Sequence, residues 1–247
     1  MAFQNILPDP NNYISYSGST SNSAPGAALG PGFTSVKFTA NQPTMMTRTN
    51  SGRVITRSVA AHSWKIGIQY NSLTRAEFEP VYSFLLSRQG KLNPFFIELP
   101  QYIAAQDSSF ASHVSSNPNS VAVSEGGSVP AGRTYFRVGY SGAGTPRPGD
   151  LFTLTDSGNS NHTKAYQVTR VETNSDFNSS FDNSTNPGVN QLRVHFSPPL
   201  VYSVSNTSKL DFVNPQVRVI QTGDVQEYSL GVDGLYKFNL NVEEAAP

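Results

Sequence analysis

The chain has 247 residues, a formal net charge of zero, only 14% charged residues and no cysteine. That length can bury the core of one large β domain or two smaller ones, while the absent net charge excludes a whole-chain field that would draw in nucleic acid or an anionic membrane. The lack of cysteine excludes a disulfide framework and thiolate chemistry, and no run approaches the roughly 20 apolar residues of a membrane span, so a protein made in the cytoplasm without membrane insertion is expected.

Gly, Pro, Ser, Thr and Asn are abundant, and the apolar residues come in short alternating runs, which predicts a mainly β protein. Residues 1–32 carry few apolar anchors beyond Ile6, Leu7, Tyr13, Ile14 and Tyr16. They cannot build their own core, and two forms stay open: a flexible tail, or an extended arm that orders only against a neighbouring subunit. A strand is expected from Phe33 to Thr39.

Between Arg48 and Arg57, Asn50, Ser51 and Gly52 supply turn chemistry, and two short strands should meet there as a hairpin with one basic exposed side, Arg48, Arg53 and Arg57. Trp64, Ile66, Ile68 and Tyr70 then alternate with Lys65, Gly67 and Gln69, the two-residue period of a half-buried strand. Trp64, the lone tryptophan, is expected in the core. Thr74 with Glu77 is a capping box, and Phe78, Val81, Tyr82 and Leu85 follow at helical spacing toward Gly90, which predicts one helix over 74–88, disturbed in its first turn by Pro80. A further strand should lead into Pro100.

From 107 to 132 the sequence is polar and weakly periodic; strand-like runs follow at 133–138, 150–155, 165–172 and 191–196, separated by turn clusters. Residues 210–220 look like a strand interrupted by Pro215, and Tyr236, Phe238, Leu240 and Val242 alternate as cleanly as Trp64 to Tyr70. Two such strands at opposite ends of a chain are best satisfied in one sheet or in facing sheets. The expected organisation is therefore an arm (1–32), a discontinuous β-sandwich or barrel domain (33–103 plus 211–247) with the single helix on its open end or flank, and an inserted small β domain (104–210).

No constellation for chemistry emerges. His62, His113, His162 and His195 each lack a second ligand at metal-type spacing and are read as loop or strand-start residues, His195 within a strand. Asp176 and Asp182 lack the regular ligand spacing of a calcium loop. Glu243 and Glu244 are adjacent in a strand and diverge, so they are read as a charged strand end that blocks edge pairing. Asp107, Glu125, Asp150 and Asp156 are too dispersed to assemble a glycosidase pair. The expectation is a non-enzyme without cofactor or metal, in which Arg48, Arg53 and Arg57 form subunit contacts rather than phosphate contacts, because no aromatic is interleaved with them.

The pattern S-G-R-x-x-x-R-S from Ser51, a strand beginning at Trp64, L-T-R-A-E-x-x-P-V-x-x-F-L-x-x-R-x-G from Leu73 and F-x-I-E-L-P from Phe95 resemble the N-terminal half of distal-tail-type minor tail proteins of tailed bacteriophages. P-G-D-L-F-T-L (148–154), A-Y-Q-V-T-R-V (165–171) and L-R-V-H-F-S-P-P-L (192–200) are similar to that family's inserted domain, and Y-K-F-N-L-N-V-E-E-A (236–245) to its last strand. The resemblance runs over residues 45–247 and departs from the family in the Ser/Gly/Asn-rich N-terminal segment and the loop 176–188. It implies a tail-tube-like β domain in a homo-oligomeric ring, commonly a hexamer, at the tail tip of the virion. Its partners would be the tail tube protein and hub or baseplate proteins, with genomic DNA passing through unbound, and the inserted domain is a candidate for host-surface glycan. The alternative of a different class is a β-sandwich carbohydrate-binding module of a tail fibre, suggested by the aromatic and Asn-rich loops of 105–210.

Overall fold

In the computed structural model the chain is described over residues 5–14, 28–58, 62–177, 186–223 and 227–245. It divides into two compact units, Met1–Ile97 with Arg218–Ala246, and Glu98–Val217. The protein is mainly β, built on a five-stranded sheet in the first unit and a closed six-stranded barrel in the second.

The first unit contains β1 (Tyr13–Ile14), β2 (Ala28–Leu29), β3 (Phe33–Asn41), β4 (Thr44–Arg48), β5 (Val54–Ser58), β6 (Ser63–Tyr70), α1 (Arg75–Ser87) and β7 (Phe95–Glu98). After the excursion through the second unit, the chain returns with β14 (Gln216–Gln221), β15 (Ser229–Leu230), β16 (Tyr236–Lys237) and β17 (Asn239–Glu244). The sheet order is β3-β6-β17-β14-β7, and β4–β5 and β15–β16 form separate two-stranded ribbons. The two alternating runs at opposite ends of the sequence are direct neighbours: Leu240 lies opposite Ile68 and Val242 opposite Ile66 in antiparallel register. Trp64, Ile66, Ile68 and Tyr70 are all buried, as the period-two pattern requires.

Helix α1 covers this sheet. Thr74 and Glu77 close the capping box, and Phe78, Val81, Phe84 and Leu85 form its buried stripe, despite Pro80 in the second turn. Phe84 meets Phe95 edge-on at 5.5 Å, and the Gln221 side-chain amide donates to the Leu85 carbonyl at 3.1 Å, satisfying one of the helix's last carbonyls. The layer opposite the sheet is thus a helix rather than a second sheet of comparable size.

Part of the N-terminal segment orders on its own chain. Leu7 donates to the Phe96 carbonyl and Phe96 to the Asn5 carbonyl, each at 2.8 Å, and Leu7 is fully buried. Gly30 packs so tightly on Pro8 and Asp9 that a Cβ would fall 2.2 Å from the Pro8 carbonyl carbon. One apolar side chain and one close backbone approach therefore hold these described residues of the segment on their own chain. Glu243 and Glu244 also differ from expectation. Their strand lies between β6 and β14, so they guard no edge, and Glu244 is buried, accepting the Trp64 backbone N–H.

The second unit holds α2 (Ser108–Ser116), β8 (Ala122–Val123), β9 (Tyr135–Gly139), β10 (Leu151–Thr155), β11 (Ala165–Glu172), β12 (Gln191–Ser197) and β13 (Lys209–Asp211). The order β10-β11-β12-β9-β8-β13 closes through antiparallel pairing of β13 with β10, which abolishes sheet edges. Phe136, Phe152, Tyr166, Phe196 and Phe212 fill the interior. Pro215 falls between β13 and β14, the interruption expected from its missing N–H.

Helix α2 corrects the single-helix expectation. Asp107 caps it by accepting from the Ser109 and Phe110 N–H groups, and only Phe110 and Val114, one turn apart, are buried. A helix whose other positions are mostly Ser leaves little periodic signal. His113 lies on this helix, not in a loop, with its ring edge-on to Tyr140 at 5.4 Å.

Candidate assembly surface

The β4–β5 ribbon lies in the chain between β3 and β6, and the break in pairing falls between Asn41–Ser63 and Thr44–Ser58. Pro43, which has no N–H to give, stands at the break. At the far end Thr49 donates to the Arg53 carbonyl at 2.9 Å and closes a three-residue loop, Asn50–Ser51–Gly52, with Gly52 at φ +80°. A left-handed residue in the last loop position suits the twist of such a hairpin, and glycine takes it without a Cβ penalty. Thr49 Oγ1 braces the loop, accepting from Arg53 N–H at 3.1 Å and lying 2.9 Å from Ser51 Oγ.

The root is rigid. Trp64 is buried, stacked on Phe38 at 4.4 Å and met edge-on by His62 at 4.6 Å. Ser63 Oγ donates to Glu243 at 3.0 Å, and Trp64 N–H donates to Glu244 at 3.1 Å.

Beyond that root, Arg48, Arg53 and Arg57 are all exposed. They do not share one basic side. The register sets Met46 opposite Thr56 and Arg48 opposite Val54, while Met45 faces Arg57 and Thr47 faces Ile55. Because directly opposed residues share a face and successive residues alternate, Arg48 lies on one face and Arg53 and Arg57 on the other. Sequence reasoning also passed over the apolar content: Met45, Met46, Val54 and Ile55 are 45–65% exposed. A two-stranded ribbon open to water on both faces is marginal alone, and its four large apolar side chains on both faces suit contact with another molecule.

A second apolar surface lies at the β15–β16 ribbon. Tyr228 and Leu230 are exposed, and Val232 at the tip is fully so. Phe78 of α1 stacks on Tyr236 at 4.6 Å, and Tyr228 packs against Phe78 at 5.0 Å and Tyr82 at 5.4 Å. The signal was present in Y-S-L-G-V-D-G-L-Y-K, where an Asp-Gly turn separates two short alternating runs.

The acidic and histidine residues are engaged locally. Asp107 caps α2 and pairs with Arg147 at 3.0 Å, Glu125 binds Arg137 through Nε and Nη2, Asp150 accepts from the Gln106 and Arg147 N–H groups, and Asp156 accepts from Gly158, Ser205 and Ser208. Burial pushes Asp156 up, but these hydrogen bonds outweigh it and hold its carboxyl below the ordinary value. Asp176 accepts from the Thr173 N–H and hydroxyl, while Asp182 lies outside the described residues. His162 is buried with Nε2 2.7 Å from the Tyr166 hydroxyl, and His195 lies 3.6 Å from Glu172. Among the described residues no three His, Asp or Glu side chains converge as a metal site.

The described residues define a class: a split β unit that carries an exposed two-stranded hairpin, and a second unit built as a closed barrel. Residues 23–102 match the protein family described as distal tail protein pb9, A domain, N-terminal. That span contains β3 to β7, α1 and the whole exposed hairpin. No curated protein matches the chain.

Proposed function

We propose that this chain is a non-enzymatic structural protein of a bacteriophage tail: a tail-tube-like, ring-forming distal tail or adaptor subunit that joins the tail tube to the hub or baseplate around the DNA-ejection conduit. The observation that carries it is the match of residues 23–102 to a distal tail protein domain, a span that contains a hairpin exposed on both faces. In this role Arg48, Arg53 and Arg57 serve subunit contacts, because cations lining the bore would grip passing phosphates. Such a protein belongs at the virion tail tip. Native mass spectrometry with negative-stain imaging tests it: a ring, expected as a hexamer, supports the proposal, and a stable monomer at micromolar concentration overturns it.

One observation favours a second reading for the barrel unit. A cleft of about 430 Å³ is lined by residues including Ser141, Thr145, Thr173, Asn174, Asn190 and Gln191, with no charged side chain among the described residues of its walls. Neutral amides and hydroxyls suit a neutral polyhydroxylated ligand such as a host-surface glycan. Binding on a glycan array, lost on Asn190→Ala with Gln191→Ala, supports this role; an array without signal overturns it.

A further inference from the structure

We infer that the β4–β5 hairpin of one copy docks on the Tyr82–Tyr228–Leu230 surface of the next copy, a head-to-tail contact between two different faces of the first unit. This rests on the reading of the chain as a self-assembling subunit and names the surfaces it would use.

The two surfaces lie at opposite ends of one strand. The hairpin leaves β6 at Ser63, whereas Tyr70, at the other end, donates to Phe238, and Leu73 just beyond it bridges to Tyr236. Eight residues of strand at about 3.3 Å each separate them by roughly 25 Å. They cannot cover each other within one chain. Two distinct surfaces on opposite ends of a rigid element are what a heterologous contact requires, and such a contact closes into a ring when its rotation permits.

Their chemistries are complementary. Residues 44–58 carry Arg48, Arg53 and Arg57 and no acid, a charge of +3. The facing surface, residues 73–82 with 227–237, carries Glu77, Glu79, Glu227 and Asp233 against Arg75 and Lys237, so four acids less two bases leave −2. Tyr82 and Tyr228 present aromatic rings there, which suit both the methionines and the guanidinium groups of the hairpin. Opposed charge sets the register of such a contact, and burial of Met45, Met46, Val54 and Ile55 drives it.

The natural chain has no cysteine, so two can be introduced cleanly. In the full chain, Ile55→Cys together with Leu230→Cys is treated with a short bismaleimide, with each single variant as control. The expected result is a ladder of cross-linked oligomers from the double variant only. Dimers from Ile55→Cys alone show an isologous contact and overturn the inference. Intact rings by native mass spectrometry without the 55–230 cross-link overturn this pairing while leaving the ring, whereas a monomeric unmodified chain overturns both. As a second measurement, Arg53→Glu with Arg57→Glu should raise the concentration needed for assembly at least about tenfold, and adding Glu227→Lys with Asp233→Lys should restore it. A charge reversal that leaves assembly unchanged overturns the pairing.

Discussion

Glu244 accepts the backbone N–H of Trp64 at 3.1 Å across 180 positions of sequence. The bond ties the last strand to the first residues of β6, where the exposed hairpin is rooted, and both residues are buried. Removing the carboxylate leaves a buried N–H without this acceptor, so Glu244→Ala should cost about 1–3 kcal/mol, and Glu244→Gln, which keeps an acceptor, less. Trp64 is the only tryptophan, so its fluorescence during urea unfolding reports this unit directly, as a lower midpoint at unchanged slope.

The hairpin itself should behave oppositely. Met45 and Ile55 are more than half exposed, so Met45→Ser with Ile55→Ser should change the stability of the isolated subunit by less than about 0.5 kcal/mol. The same pair should abolish assembly. Thermal unfolding of dilute protein, beside sedimentation of concentrated protein, separates the two effects, and a large loss of monomer stability would show that the ribbon packs within its own subunit.

Sequence pattern located what periodicity and caps encode. The alternation of Trp64 to Tyr70 and of Leu240 with Val242 appears as two paired strands, and Thr74 with Glu77 as the start of α1. Helix α2 was hidden because two apolar residues one turn apart among serines give no stripe. The division of the arginines between two faces follows from register, which depends on where the turn closes: here Thr49 pairs with Arg53. The burial of Glu244 was illegible for another reason, since its partner is a backbone amide brought in by tertiary pairing.

On the outer side of the barrel, Glu172 and Arg193 form an ion pair at 3.1 Å with side chains only 5% and 1% exposed. Arg193 alternates with the core residues Leu192 and Val194 and so points out of the barrel, yet Tyr135 and Phe177 lie beside its guanidinium at 5.6 and 5.0 Å. Arg193→Met should cost about 3–5 kcal/mol, because it strips Glu172 of its buried partner and leaves beside it only His195 and the largely exposed Arg170, which pairs with the other carboxylate oxygen. Arg193→Met with Glu172→Met should recover much of that loss, since both desolvation costs then vanish. Denaturation curves of the two variants check this, and a double variant as unstable as the single would show that Glu172 is held mainly by Arg170 and His195.

Protonation gives the barrel a separate vulnerability at mildly acidic pH. Burial lowers the pKa of His162, against the opposing pull of the Asp156 carboxylate, and burial likewise lowers that of His195, against Glu172. An unfolded histidine titrates near about 6.5, so as pH falls through that value the unfolded chain binds protons that the folded barrel refuses. Stability therefore decreases from about pH 6.5 down to the folded pKa of each histidine and levels off below it. Asp156 acts in a different window: its folded pKa is depressed, so its contribution is present at neutral pH and disappears only as pH falls through that depressed value. Hydrogen exchange of the β10 and β11 amides should accordingly show weaker protection at pH 5.5 than at pH 7.5, after correction for intrinsic rates. In His162→Gln, whose amide can still reach the Tyr166 hydroxyl but cannot ionise, the difference should shrink to the part due to His195; an undiminished difference would assign the effect to other groups.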